Sequence, residues 1–263
     1  MKLIRKLLNI QVAGWVKLTF FIITTLVILI FNDVFGEDDG FAIFSLLFFL
    51  VMTIEFTGWT FSQIKSILVL KKEKKQVELL HLKSQVNPHF FFNTLNNLYG
   101  LVAQDTEKAQ ALILKLSEMM RYSIYEGQNN WVSLNEEVIY LKNYIELHKM
   151  RYHKTIDVQF DIDINDENEK IMPLLFIILL ENAFKHGIEN LIKNAFVSIK
   201  LKTTKSEINF EVENNFDAEE LSENSGIGLK NLKRRLELVY PKKHQLKTSI
   251  KDTIYKAELN LKI

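Results

Sequence analysis

The sequence predicts three parts in series: a membrane α-helical hairpin, a dimerising helical hairpin, and an α+β two-layer sandwich. Three observations carry this reading. Two long apolar runs fall within the first 64 residues, an apolar spacing of three to four then holds to residue 152, and from Ile156 onward the spacing changes to two. The expected divisions are 1–64 for the membrane hairpin, 65–152 for a linker with the dimerising and histidine-bearing helices, and 153–263 for the sandwich.

Composition bounds the chemistry. With 33 basic and 32 acidic residues the formal charge is +1, so no global charge argument points to direct nucleic-acid binding. The chain has no cysteine, which excludes disulfides, thiolate metal sites and cysteine nucleophiles. Hydrophobic residues make up 48%, and most of the 19 phenylalanines crowd into the first hundred positions, an asymmetry that points to membrane.

Residues 1–11 carry Lys2, Arg5 and Lys6, and residues 12–31 hold only Lys17. A run of about 20 residues at ~1.5 Å each matches the ~30 Å hydrocarbon layer. A signal peptide is disfavoured, because no small-residue cleavage site precedes the acidic stretch 32–40 and a second apolar run follows at once. That run, 41–64, is interrupted by Glu55 and holds Trp59, which suits an interface. The loop between the spans carries Asp33, Glu37, Asp38 and Asp39, whereas Lys65, Lys71, Lys72, Lys74 and Lys75 follow the second span. The positive-inside rule therefore expects a multi-pass protein of the inner (cytoplasmic) membrane with both termini in the cytoplasm. A loop this short is no sensory domain. Glu55 inside a span costs roughly 2.5–3.5 kcal/mol. Pairing with Lys17, protonation against a second subunit, and snorkelling to the interface each lower that cost.

Residues 62–81 are polar and basic around 71–75 and extend the helix away from the membrane. Leu79, Leu82, Val86 and Phe90, then Phe91, Leu95, Leu98 and Val102, predict a helix with a broad apolar stripe over 82–101. After a turn near 104–106, Ala109, Leu112, Leu116, Met119 or Met120, and Ser123 mark a second amphipathic helix ending by Gly127. Two such helices form an antiparallel hairpin whose apolar face stays half-covered in one copy, so a homodimeric four-helix bundle is expected. A third helix opens at Ser133-Leu134-Asn135-Glu136, which has capping-box spacing, and carries Leu134, Val138, Leu141, Ile145 and His148.

Ile156, Val158, Phe160, Ile162 and Ile164 then alternate with polar residues, the signature of a half-buried strand. Pro173 is expected to start a helix through His186, stopped at Gly187. Val197, Ile199 and Leu201, then Ile208, Phe210 and Val212, predict an antiparallel strand pair. A helix over 229–240 is halted by Pro241, and 249–263 holds one or two closing strands. Strands with helices on one face make an α+β sandwich.

The candidate reactive group is His89. Gln85, His89 and Asn93 lie four apart and form one polar column on a helix. Asn87 and Pro88 equally suit a helix N-terminus, with His89 merely solvated. Residues 85–93 resemble the phospho-acceptor box of the LytS-type sensor histidine kinases, where the acceptor histidine sits between a proline and aromatic residues and is followed by an asparagine. The resemblance implies that His89 is phosphorylated and that Asn93 belongs to the same catalytic box. Arg121-Tyr122 and residues 144–152 also resemble the LytS-type pattern.

Glu181, Asn182, Lys185 and His186 form a polar patch on an otherwise apolar helix. A solvated helix end accounts for such a patch equally well. The stretch resembles the asparagine box of the GHKL-type ATP-binding fold, which implies that Asn182 holds Mg²⁺, that Lys185 and His186 lie near phosphate, and that Glu181 orients the catalytic surroundings. Gly226-Ile227-Gly228-Leu229 leads into a helix, where glycines admit a phosphate to the backbone and the helix N-terminus offers free N–H groups. Residues 226–240 resemble the second glycine box of the same family, extending the cofactor-binding set through Leu229, Asn231 and Arg235, with 216–225 as the nucleotide lid. Where the family commonly has an aspartate for the adenine amino group and a glycine two residues on, this chain has Asn214 and Phe216. An amide oxygen still accepts that hydrogen bond but loses the charge-assisted part, on the order of 1 kcal/mol.

The resemblance covers roughly residues 70–263. It implies a membrane-bound two-component sensor histidine kinase, an ATP-dependent protein-histidine kinase, that autophosphorylates His89 using Mg-ATP. The phosphoryl group then passes to an aspartate of a cytoplasmic response regulator, often one with a LytTR domain. No acidic residue adjoins His89 to serve as base, and no receiver or DNA-binding motif stands in these residues. The alternative, favoured by Asn214 and Phe216, is a non-catalytic pseudokinase scaffold that dimerises and binds a cytoplasmic partner.

Overall fold

The computed structural model describes residues 2–83, 88–151, 156–189, 191, 194–217 and 226–263, and within these the side chains of all but residues 2–15, Lys17, Asp33, Pro88, His89 and Arg151. It divides into two compact units, 1–74 and 75–263.

In the first unit α1 (Lys2–Phe35) turns at residues 36–38 into α2 (Asp39–Lys83), where the Asp38 N–H donates to Phe35 O at 3.0 Å. The second helix runs on without a break into the next unit. Among the described residues α2 is the one helix long and apolar enough to cross a membrane, and the apolar part of α1, Leu18–Asn32, is shorter. Threonines do not break these helices, because Thr24, Thr53 and Thr60 each donate a hydroxyl to the carbonyl four residues back at 2.7–2.8 Å. Glu55 shares a cavity wall with Leu18, Phe20, Phe21, Met52, Phe56 and Trp59.

The second unit begins with three helices. Of the expected stripe over 82–101, Leu82 stands at the described end of α2, Lys83, and the other described apolar positions on α3 (Pro88–Val102). Gln85, Val86 and Asn87 lie outside the described residues. Proline at the first helical position has no N–H to leave unbonded and its φ is already helical, so Pro88 suits the first position of α3. Phe90 is buried, while Leu95 and Val102 stay exposed. Next comes α4 (Thr106–Ile124), capped by Asp105 Oδ1 accepting from the Lys108 N–H at 3.0 Å. Its buried residues are Ala109, Leu112, Leu116, Met119 and Ser123, so Met119 faces inward and Met120 does not. The third helix, α5 (Leu134–Arg151), opens on the capping box: the Ser133 N–H donates to Glu136 Oε2 at 2.7 Å and the Glu136 N–H to Ser133 Oγ at 3.3 Å. A two-residue pairing of β1 (Val132–Ser133) with β3 (Lys170–Ile171) ties this start to the sandwich.

The five-stranded sheet has the order β2-β4-β5-β7-β6: β2 (Asp157–Asp163), β4 (Phe196–Thr203), β5 (Glu207–Asn215), β7 (Ile254–Lys262) and β6 (His244–Lys251). β2 runs parallel to β4 and the other pairings are antiparallel. Val197, Ile199, Leu201, Ile208, Phe210, Val212, Ala257, Leu259 and Leu261 fill the inner face, and α6 (Ile177–Ala183) and α7 (Ile227–Val239) pack on it. The outer face carries charge, with Lys256 Nζ 3.0 Å from Glu211 Oε2 and 2.7 Å from Glu258 Oε1. That division of faces is the α+β two-layer arrangement. One hydrophobic core runs from Phe90 and the helices through to the sheet.

The helix after Pro173 differs from expectation. Residues 173–176 are turns, because Leu174 sits at φ 56°, and α6 begins only at Ile177. It does not stop at Gly187 either, but widens into one π-helical turn, Phe184–Ile188, with the Glu189 N–H donating to Phe184 O at 3.0 Å. Such widened turns accompany functional sites.

Candidate functional site

Two motifs and the end of one strand come together on the sandwich. Gly228, in the first turn of α7, faces α6: a Cβ there would lie in ordinary contact, 3.8 Å from Asn182 Oδ1 and 3.6 Å from Ile178. Gly187, in the π turn, faces β5: a Cβ there would meet Asn214 Nδ2 at 2.5 Å and Asn215 O at 2.7 Å. Asn182, Lys185 and His186 thus stand on α6 and its π turn, which touches both β5, bearing Asn214, and α7, which starts at Gly226 and Gly228. Asn182 and Glu181 are half-buried, Lys185 and His186 exposed, Leu229 and Asn231 half-buried. The stretch 218–225 of the expected lid lies outside the described residues, as do the contacts of the His89 side chain.

Asn214 is buried. Its Nδ2 donates to Asn215 O at 3.0 Å, while its Oδ1 has no hydrogen-bond partner among the described residues. A buried acceptor left open costs about 1–3 kcal/mol. Phe216 is buried and its N–H donates to Thr253 O at 3.0 Å.

The entry to α6 is held from two sides. Phe176, at the helix start, has no side-chain cap of its own. Glu137 of α5 supplies one: its Oε1 accepts from the Leu174 N–H at 2.7 Å and from Tyr122 OH at 2.6 Å. Burial pushes the Glu137 carboxyl above the usual carboxylate range, against the pull of those donors. From the other side Arg235 Nη1 donates to Leu174 O at 3.0 Å. A non-glycine residue in the left-handed region costs roughly 1–2 kcal/mol, and the two grips hold it there.

Arg235, expected at the nucleotide, is turned inward. Its Nη2 donates to Leu82 O, and burial lowers its pKa to about 10 against the favourable charges of Glu137 and Glu181. Sequence reasoning missed Glu137 and Leu174. Glu137 had a signal, a carboxylate three residues after Leu134 and four before Leu141 on the apolar stripe of α5. Leu174 had none.

The helix that bears His89 reaches this region through aromatics. Phe90 stacks on His148 at 5.3 Å, and His148 meets Phe184 of the π turn at 4.6 Å. Asn93 is half-buried on α3.

Residues 77–156 match the family model for histidine kinase. The sensor protein LytS of Staphylococcus saprophyticus is 33% identical over 176 residues, which cover 62% of this chain and 30% of that protein. LytS of Enterococcus faecalis is 30% identical over 185 residues, covering 65% and 31%. The sensor histidine kinase/phosphatase LytS of Staphylococcus aureus strain MRSA252 is 34% identical over 116 residues, covering 44% and 20%. The chain spans about a third or less of the length of these relatives.

Proposed function

We propose that this chain, a relative of the LytS-type sensor histidine kinases by sequence, is a membrane-anchored homodimer that autophosphorylates His89 from Mg-ATP and hands the phosphoryl group to an aspartate of a response regulator. One observation carries the reading: Gly228 lies against Asn182 and Gly187 against Asn214, so the residues that resemble an ATP-binding box border one region. They do so in a chain whose acceptor segment matches histidine kinases.

The residues fit the cofactors. The Asn182 amide oxygen suits Mg²⁺, a hard cation that keeps part of its water, and the open Asn214 Oδ1 suits the adenine amino group. Mg²⁺, when bound, neutralises charge that builds on the phosphates. Lys185 and the amides at the start of α7 add fixed positive charge on the same side. The imidazole of His89, which must be neutral to act as nucleophile, accepts the γ-phosphoryl group while the bond to the β–γ bridging oxygen breaks. Exposed Phe92, Tyr99, Ile113, Leu114 and Ile124 on α3 and α4 give a second copy an apolar face to cover.

The test uses radiolabelled ATP. His89→Ala is expected to abolish incorporation of acid-labile phosphate and leave ATP binding unchanged within error. Equal labelling of wild type and variant sinks the assignment, and no ATP binding by the wild type favours the scaffold.

A further inference from the structure

Arg235 joins three parts of the fold. It stands on α7, the helix that begins at the glycines; its Nη1 holds Leu174 O at the entry to α6, the helix that bears Asn182; and its Nη2 holds Leu82 O in the last turn of α2. The end of α2 is fastened twice more. Lys83 Nζ donates to Asn129 O at 2.5 Å, and Arg234 grips Glu78 with Nε to Oε1 at 2.6 Å and Nη2 to Oε2 at 3.0 Å. A phosphate ligand needs its guanidinium at the surface of the cleft, and Arg235 is 4% exposed with both terminal nitrogens donated to backbone carbonyls. Its neighbour Arg234 makes a bidentate pair that lies at the surface.

We propose that Arg235 is a positioning residue: by clasping the carbonyls of Leu174 and Leu82 together it sets the spacing of α6 and α7, and makes that spacing answer to the last turn of α2. The proposal rests on the nucleotide-site reading only for its effect on ligand affinity. A planar fork reaches two acceptors in a fixed geometry, which a single ammonium does not. Displacing the end of α2 removes one acceptor, leaves a buried guanidinium half-bonded, and shifts α7 relative to the turn at Leu174. The two sides of the cleft, Asn182 on α6 and Gly228 on α7, then separate or close.

The full chain in lipid nanodiscs is compared as wild type, Arg235→Lys, Glu78→Arg, Arg234→Glu and the double reversal Glu78→Arg with Arg234→Glu. Calorimetry measures ATP and adenosine affinity, and hydrogen exchange follows residues 75–83 and 226–240. Arg235→Lys is expected to weaken ATP and adenosine by similar factors, about tenfold for one lost charge-assisted hydrogen bond, and to speed exchange in both segments at once. Loss of ATP affinity with adenosine unchanged makes Arg235 a phosphate ligand and overturns the proposal. Glu78 and Arg234 lie at the surface, so their reversals fold even if Arg235→Lys does not. Each single reversal is expected to speed exchange in both segments, and the double reversal to restore it. Faster exchange confined to 75–83 overturns the coupling. A wild type that binds neither ligand refutes the nucleotide reading, while the paired exchange in the two segments still decides for or against the clasp.

Discussion

Glu137 is the carboxylate with most to lose from a change of proton count, because it is fully buried and its pKa is raised by burial. A raised pKa means the folded chain keeps a proton that the unfolded chain releases near 4.5. This group's contribution to stability is therefore full below the unfolded value and falls as pH rises through it toward the folded one. Glu137→Gln keeps an oxygen for the Leu174 N–H and removes the titration. In urea unfolding between about pH 4 and pH 8 the variant is expected to gain stability relative to wild type as pH rises; a difference that stays constant with pH refutes the assignment. Asn214 gives a second prediction. In Asn214→Asp a carboxylate oxygen replaces the Nδ2 that donates to Asn215 O, so the nucleotide-free protein is expected to lose about 1–3 kcal/mol. Saturating ATP should restore more stability to the variant than to wild type, and equal gains in thermal denaturation refute the adenine contact. The sequence signalled Asn214 because it departs from a family pattern. It was silent on Leu174, since a left-handed leucine depends on Glu137 and Arg235, remote in sequence and joined to it only by folding.

At the level of elements, local signals survived and long-range ones did not. The Ser133–Glu136 capping box and the inward set Ala109, Leu112, Leu116 follow from spacing alone, and both are present. Pro173 as a helix start failed, because the grips on Leu174 delay α6 to Ile177. Gly187 as a helix stop failed too, since its missing side chain makes room for Asn214 and Asn215 while the helix widens past it. The two site glycines are thus unequal. Gly187→Ala puts a Cβ within 2.7 Å of backbone and is expected to cost about 1–3 kcal/mol. Gly228→Ala meets only ordinary contacts and is expected to stay within about 0.5 kcal/mol. Chemical denaturation of both variants tests the pair, and equal losses refute it.

For the whole molecule, the change of hydrophobic period near residue 156 foretold the sandwich, and the apolar content of 41–64 foretold the long helix α2. The membrane arrangement rests on charge bias: acidic residues in the turn at 36–38 and basic residues beyond 64. Reporter fusions after Gly40 are expected to register outside the cytoplasm and fusions after Lys75 inside it; the reverse pattern removes access to ATP and refutes the kinase reading. The sheet order has one further consequence, for folding. The β4–β5 and β6–β7 hairpins close over loops of residues 204–206 and 252–253 and need little of the chain. β2 is a parallel neighbour of β4, so residues 164–195, with α6 among them, must cross over before the edge strand docks. Closing so long a loop is slow against hairpin formation. The sheet is therefore completed in the same late step that seats the helix carrying Asn182, and the candidate site around Asn182 stays unfinished until the edge strand is home.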